Sequence, residues 1–279
     1  MCGIAGLIHK GKKSKIGSEM TSMLQALKHR GPDSTGFAVY GQSSPGEYIM
    51  RVKVAEKEDI DKGHGIFDKI EKRISELEKR LSDHKAKVVS KEKVTEYALR
   101  YIIKHNGDTE KMARYIEEIK GVEILSLGNG LELIKDLGDA LVVCEQYGLD
   151  NFNGTHAIGH TRMATESDVD IRSAHPYWAY PFSDVSVVHN GQLTNYWNNR
   201  RALEKKGMRF MSTCDSELIA VYLADKIRNG IDLEEAMRGS LDDLDGVFTY
   251  LVATKDKLGM AKDHMAAKPM VLYESDDLV

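Results

Sequence analysis

A chain of 279 residues with 42% apolar side chains, 29% charged side chains and a net charge of -4 can bury a full core, which excludes disordered and collagen-like classes. No apolar run approaches the roughly 18 to 20 residues of a membrane span, and the opening residues lack a signal peptide's basic-then-apolar order, so the cytoplasm is the expected compartment. Cys2, Cys144 and Cys214 are odd in number and lack metal-type pair spacing, and the mildly acidic balance gives no footprint for nucleic acid; no disulfide framework, metal or cofactor is expected.

The opening stretch Cys2 to Ile8 is small and apolar and reads as a buried strand, which would hold Cys2 rigidly. Met20, Met23, Leu24 and Leu27 recur at helical spacing and predict a helix over Ser18 to Lys28. It is broken by His29-Arg30-Gly31-Pro32-Asp33, because proline disfavours a helical residue before it. Phe37 to Tyr40 then reads as a strand.

Between Met50 and about Gly128 the composition shifts to Lys and Glu, with no proline. Phe67, Ile70, Ile74, Leu77 and Leu81 alternate spacings of three and four, the mark of an amphipathic helix with a short heptad seam. Two more helices are predicted over Lys93 to Lys104 and Thr109 to Lys120, separated at His105-Asn106-Gly107. Val122 to Leu127 and Leu131 to Ile134, split by Gly128-Asn129-Gly130, read as a hairpin. This region, 51–128, is expected to be an inserted, helix-rich α/β subdomain, or a surface elaboration with no ligand of its own.

Strands resume at Ala157 to His160, Val185 to Val188 and Val247 to Ala253, with a helix over Asp215 to Ile227 whose apolar face carries Leu218, Ile219, Tyr222 and Leu223. The chain ends at Asp277-Leu278-Val279, in what reads as a hairpin opened by a strand over Met270 to Tyr273, so a further strand is expected to follow. No internal repeat is visible.

Cys2 can be a small residue opening a buried strand. If Met1 is removed it carries more: a thiol and a free α-amine, whose pKa near 8 suits a general base. The run Cys2-Gly3-Ile4-Ala5-Gly6 is followed by His29-Arg30-Gly31-Pro32-Asp33-Ser34 and Gly159-His160-Thr161-Arg162-Met163-Ala164-Thr165. Ala174-His175-Pro176, His189-Asn190-Gly191-Gln192-Leu193-Thr194-Asn195 and Asp215-Ser216-Glu217 complete the series. These blocks, in this order, resemble the class II glutamine amidotransferases.

That resemblance implies a glutaminase with Cys2 as nucleophile. It implies Asn190, through its side-chain amide, and Gly191, through its backbone N–H, as donors to the tetrahedral oxyanion, each worth roughly 3 to 4 kcal/mol. It also implies Arg162 for the α-carboxylate of glutamine, Asp215 for its α-ammonium, Thr165 as a further substrate contact, and Arg30 as an ordering residue beside Cys2. Local readings stand beside these. Asn190-Gly191 is a strong hairpin signal, Arg162 after a strand can point to solvent, and Asp215 suits a helix N-cap or first turn. His160, His175 and His189 read as hydrogen-bonded supports. One departure from the family pattern is Glu166-Ser167, where several members carry histidine or glycine.

By resemblance the fold is α/β, the four-layer αββα sandwich of N-terminal nucleophile hydrolases, with a glutaminase domain at 1–50 and 129–279 and the insert packed outside it. The length leaves no room for an ammonia-accepting domain, so the acceptor is expected on another polypeptide, in an oligomer. The uninterrupted His-Arg-Gly-Pro-Asp-Ser block resembles stand-alone amidotransferase subunits related to the glutamate synthase N-terminal domain, which implies a flavin-containing synthase partner. The competing reading is a non-catalytic subunit that binds L-glutamine as a signal or scaffold.

Overall fold

The computed structural model describes residues 2–41, 44–56, 59, 66–163, 171, 174–181 and 184–279. Its core is two facing antiparallel sheets. The first orders β1 (Gly3–Ile8), β8 (His156–Arg162), β2 (Ser34–Tyr40) and β7 (Leu131–Leu137); the second orders β12 (Leu258–Lys262), β11 (Gly246–Ala253), β10 (Ser186–Leu193) and β9 (Tyr177–Trp178).

Strand alternation sorts their side chains into layers. Phe37 and Val39 of β2 pack outward with Met20 and Leu24 of helix α1 (Ile16–Ala26) and Val143 of α4 (Ala140–Tyr147). Ala38 and Tyr40 point the other way, into the space shared with Val188 and Leu251 of the second sheet. Val187, Phe248 and Val252 face outward again, onto Leu218, Ile219 and Leu223 of α6 (Asp215–Arg228) and Ala236 of α7 (Leu233–Asp243). Helix, sheet, sheet, helix is thus written in the alternation itself, and the αββα sandwich expected from the sequence is the observed fold. Tyr40 pins the two sheets: its buried hydroxyl donates to the Ala253 carbonyl at 2.8 Å and lies 2.8 Å from Ser186 Oγ.

A third sheet orders β4 (Lys87–Lys93), β5 (Ala98–Lys104), β3 (Glu47–Lys53) and β6 (Glu123–Gly128). Ile70, Ile74, Leu77 and Leu81 of α2 (Ile66–Asp83), with Met112 and Ile116 of α3 (Thr109–Glu117), cover it. Strand β4 is exposed along its whole length, and its lysines protect the free edge from pairing with other chains. Glu132 of β7 ties this sheet to the first. It accepts from Arg51 Nε of β3 and Arg100 Nε of β5, each at 2.8 Å, while buried to 2% exposure.

Three expectations are corrected. Lys93 to Lys104 is no helix: β5 lies between β3 and β4, and this tertiary pairing on both edges, with Tyr101 and Ile103 fully buried, overrides the helical reading of the stretch. The stretches around Gly128-Asn129-Gly130 do not pair as a hairpin, since β6 pairs with β3 and β7 with β2. The turn is held instead by the Asp184 carboxylate, which accepts the N–H groups of Asn129 at 3.0 Å and of Gly130 and Leu131 at 2.8 Å. Met270 to Tyr273 forms no strand; the chain returns to the β1 edge, where Ile8 and Val279 exchange backbone hydrogen bonds of 2.9 and 3.0 Å.

Candidate active site

Strand β1 delivers Cys2 to one end of the sandwich. The pairing of Gly3 with Thr161 sets Cys2 beside the end of β8, where the Met163 N–H points at Cys2 Sγ from 3.4 Å. Arg30 reaches the same place from a 3-10 turn over Lys28–Arg30. Gly31 lets that turn press against β8: a Cβ there would lie 2.5 Å from the Arg162 carbonyl carbon. The Asp33 N–H then donates to the Arg162 carbonyl at 3.1 Å.

Asn190 and Gly191 arrive from the second sheet, and the hairpin reading of this pair is overturned. They lie within β10, opposite Thr249 and Phe248 of β11, with the strand continuing to Leu193. Gly191 has φ +139°, and a Cβ there would sit 2.0 Å from the Val247 carbonyl oxygen, so the pair is a close-approach device inside a strand rather than a turn. The Asn190 side-chain amide donates to the Cys2 carbonyl at 3.0 Å.

Cys2, Arg30, Asn190 and Gly191 together line a cleft of about 500 Å³. Sequence reasoning missed Lys268 and Pro269, which line it from the segment after β12, and Gly246 and Val247 at the start of β11. No local motif marked them, because the pairing of β11 with β10 and the bond from Thr249 to the Lys268 carbonyl bring them there.

Arg162 and Asp215 do not line this cleft. Arg162 ends β8, only 8% exposed, and its charge helps hold His160 and His175 neutral. Asp215 is the first residue of α6 rather than its N-cap, which is Cys214; its carboxylate accepts the Leu193 N–H at 2.8 Å and so ties the helix start to the end of β10. Thr165 lies outside the described residues, as do Met1 and Glu166-Ser167.

Three histidines are buried nearby. The rings of His160 and His175 stack with centroids 4.0 Å apart, and His175 meets Tyr177 edge-on at 4.8 Å. Burial is the main force lowering all three: His160 is pushed down to about 3, His189 to about 4, and His175 well below its ordinary value. His189 Nδ1 lies 2.8 Å from Ser216 Oγ, so it is the hydrogen-bonded support the sequence predicts. His175 departs from that reading, since its ring nitrogens have no hydrogen-bond partner and stacking on His160 holds it; His160 keeps the Asn190 side chain and the His189 backbone as polar neighbours. Among the described residues no cluster of three or more His, Cys, Asp or Glu side chains converges on a metal-sized space, and no helix is long and apolar enough to cross a membrane.

A nucleophile-capable thiol, a side-chain amide and a close-packed glycine thus meet at one cleft, and comparison with known proteins gives the arrangement a family. A glutamine amidotransferase domain model matches residues 160–279. The chain is 40% identical over its whole length to a protein of Methanothermobacter thermautotrophicus described as "Putative glutamine amidotransferase", covering 90% of that protein. It is 35% identical, again over its whole length, to the glutamine amidotransferase-like protein GlxB of Rhizobium meliloti, covering 88% of it. Over 52% of the chain it is 31% identical to an amidophosphoribosyltransferase of Methanocaldococcus jannaschii, of which it covers 31%. Among solved structures, the glutamine phosphoribosylpyrophosphate amidotransferase of B. subtilis shares the fold with a TM-score of 0.57 at 15% identity, this chain spanning 40% of that one. The chain belongs to the glutamine amidotransferase family.

Proposed function

We propose that this chain is a class II glutaminase that hydrolyses the side-chain amide of L-glutamine through a Cys2 thioester and releases ammonia to a synthase site on another chain. The observation that carries the reading is the convergence of Cys2, Asn190 and Gly191 on one cleft.

With Met1 removed, the α-amine of Cys2 takes the thiol proton as sulfur attacks the carboxamide carbon. The carbonyl π pair moves onto oxygen, where the Asn190 amide and the Gly191 N–H stabilise it. As the intermediate collapses, the C–N bond breaks and the amine's proton goes to the leaving nitrogen, giving ammonia and the thioester. Water, deprotonated by the same amine, then releases glutamate and restores the thiol. Arg30, which lines the same cleft, orders the surroundings of Cys2.

Recognition of the head group falls to Arg162 for the carboxylate and Asp215 for the ammonium, with Thr165 as a further substrate contact. Arg162 is buried at the end of β8, and the Asp215 carboxylate accepts the Leu193 N–H at the end of β10, the strand that carries Asn190 and Gly191. The sequence resemblance supports a glutamate-synthase-like role with a flavin-containing partner, and the division into 1–50 with 129–279 and an outer insert at 51–128 belongs to the same proposal.

Ammonia release from glutamine by the wild type and by Cys2→Ala tests it. Loss of roughly a thousandfold or more in the variant is expected. Equal release by both, or glutamine binding by a wild type that releases none, would overturn it, the latter in favour of a sensing subunit.

A further inference from the structure

We propose that Lys268 supplies fixed positive charge to the Cys2 centre, stabilising the thiolate and the oxyanion as they form. The inference rests on the glutaminase reading and adds a residue that no motif carries.

The placement of Lys268 is specific. Its carbonyl accepts the Thr249 hydroxyl at 3.1 Å, and Thr249 stands directly opposite Asn190 in the β10–β11 ladder. Pro269 follows and restricts the Lys268 backbone to extended conformations. The main chain of Lys268 is therefore pinned beside the strand pair that presents the Asn190 amide. Its charge is felt at His189, the neighbour of Asn190: burial and Lys268 lower that imidazole while Asp215 opposes them.

The charge balance of the cleft gives this placement a purpose. Among the described residues, Arg30 and Lys268 are its charged lining residues and no carboxylate lines it. Among the described residues Lys268 has no ion-pair partner. Glutamine is a zwitterion with no net charge, so a cleft carrying uncompensated cations is not matched to the bound substrate. It is matched to the state in which negative charge appears on sulfur and then on the carbonyl oxygen. An interaction stronger in the transition state than in the ground state raises kcat rather than lowering KM.

The test is steady-state ammonia release by Lys268→Met and Lys268→Arg, with iodoacetamide alkylation of Cys2 at neutral pH as a second readout. For Lys268→Met, kcat is expected to fall roughly tenfold to a hundredfold, with KM changed by no more than about threefold. Lys268→Arg is expected to keep most of the rate, and alkylation of Cys2 to slow several-fold in the Met variant only. Unchanged kcat, a loss confined to KM, or equal damage from Arg and Met would each overturn the proposal. If the Met variant does not fold, Lys268→Gln reads the same quantities with a side chain of similar reach. A wild type that releases no ammonia fails the glutaminase reading instead. Alkylation then still decides the role of Lys268, and equal rates in wild type and Lys268→Met overturn it.

Discussion

Glu132 and His160 are both almost wholly buried, at 2% and 1% exposure, yet the protein keeps one ionised and the other neutral. Burial alone would raise the Glu132 carboxyl, but the bonds from Arg100 and the charge of Arg51 overcome it and hold it below its ordinary value. Around His160 no carboxylate compensates; His189 and Arg162 add to the desolvation, and the imidazole stays uncharged. The joint between the first and third sheets is thus closed by an ion cluster, while the buried histidines behind the cleft stay neutral. Ionic pairing fixes how two sheets meet, whereas desolvation and the charge of Arg162 keep the histidines behind the cleft neutral.

Breaking the ion cluster has the largest expected effect. Glu132→Ala leaves Arg51 buried, and Arg100 partly buried, without their shared carboxylate and is expected to cost about 3 to 5 kcal/mol, read as a drop in the denaturant midpoint. A loss below about 1 kcal/mol would mean that water reaches the guanidinium groups and that the joint is not dry.

Acid should separate the two regions. The histidines are neutral when folded and bind protons near pH 6.5 when unfolded. Their folded pKa values are depressed, so the stability they contribute is lost as pH falls from about 6.5 toward about 4 for His189 and about 3 for His160. The expected slope approaches about 1 kcal/mol per pH unit for each. The carboxylate of Glu132, also depressed, keeps its contribution until pH falls below the ordinary carboxylate value of 4.5. Unfolding midpoints measured from pH 7 to 4 check this order, and a flat profile between pH 6.5 and 5 would show that the histidines are not buried neutral. The smallest effect sharpens the comparison: replacing the whole cluster by Arg51→Met, Glu132→Leu and Arg100→Leu is expected to be near neutral in stability, because all the buried charges leave together.

Much of this architecture was legible in the sequence. The alternation of Phe37 and Val39 against Ala38 and Tyr40 carries the layering, and the motif blocks carry Cys2, Arg30, Asn190 and Gly191 to one cleft. What was not legible depends on pairing between distant segments. Strand β5 reads as helix until β3 and β4 flank it, and the strands around Gly128-Asn129-Gly130 read as a hairpin until Asp184 is brought to cap the turn. Asn190-Gly191 reads as a turn because its local chemistry is a turn's; only the closeness of the Val247 carbonyl oxygen to Gly191 reveals why a strand carries glycine there. Lys268 has no neighbouring signal at all, since its position follows from Thr249 and the ladder opposite Asn190.

The central claim is that Cys2 becomes the first residue and then carries the glutamyl group. Rapid acid quenching of the enzyme during glutamine turnover, followed by mass analysis of its N-terminal peptide, tests this most directly. The expected peptide begins at Cys2 with a free α-amine and gains one glutamyl group, removable by hydroxylamine and absent in Cys2→Ser. A peptide that retains Met1, or a glutamyl group found on any other residue, would contradict it.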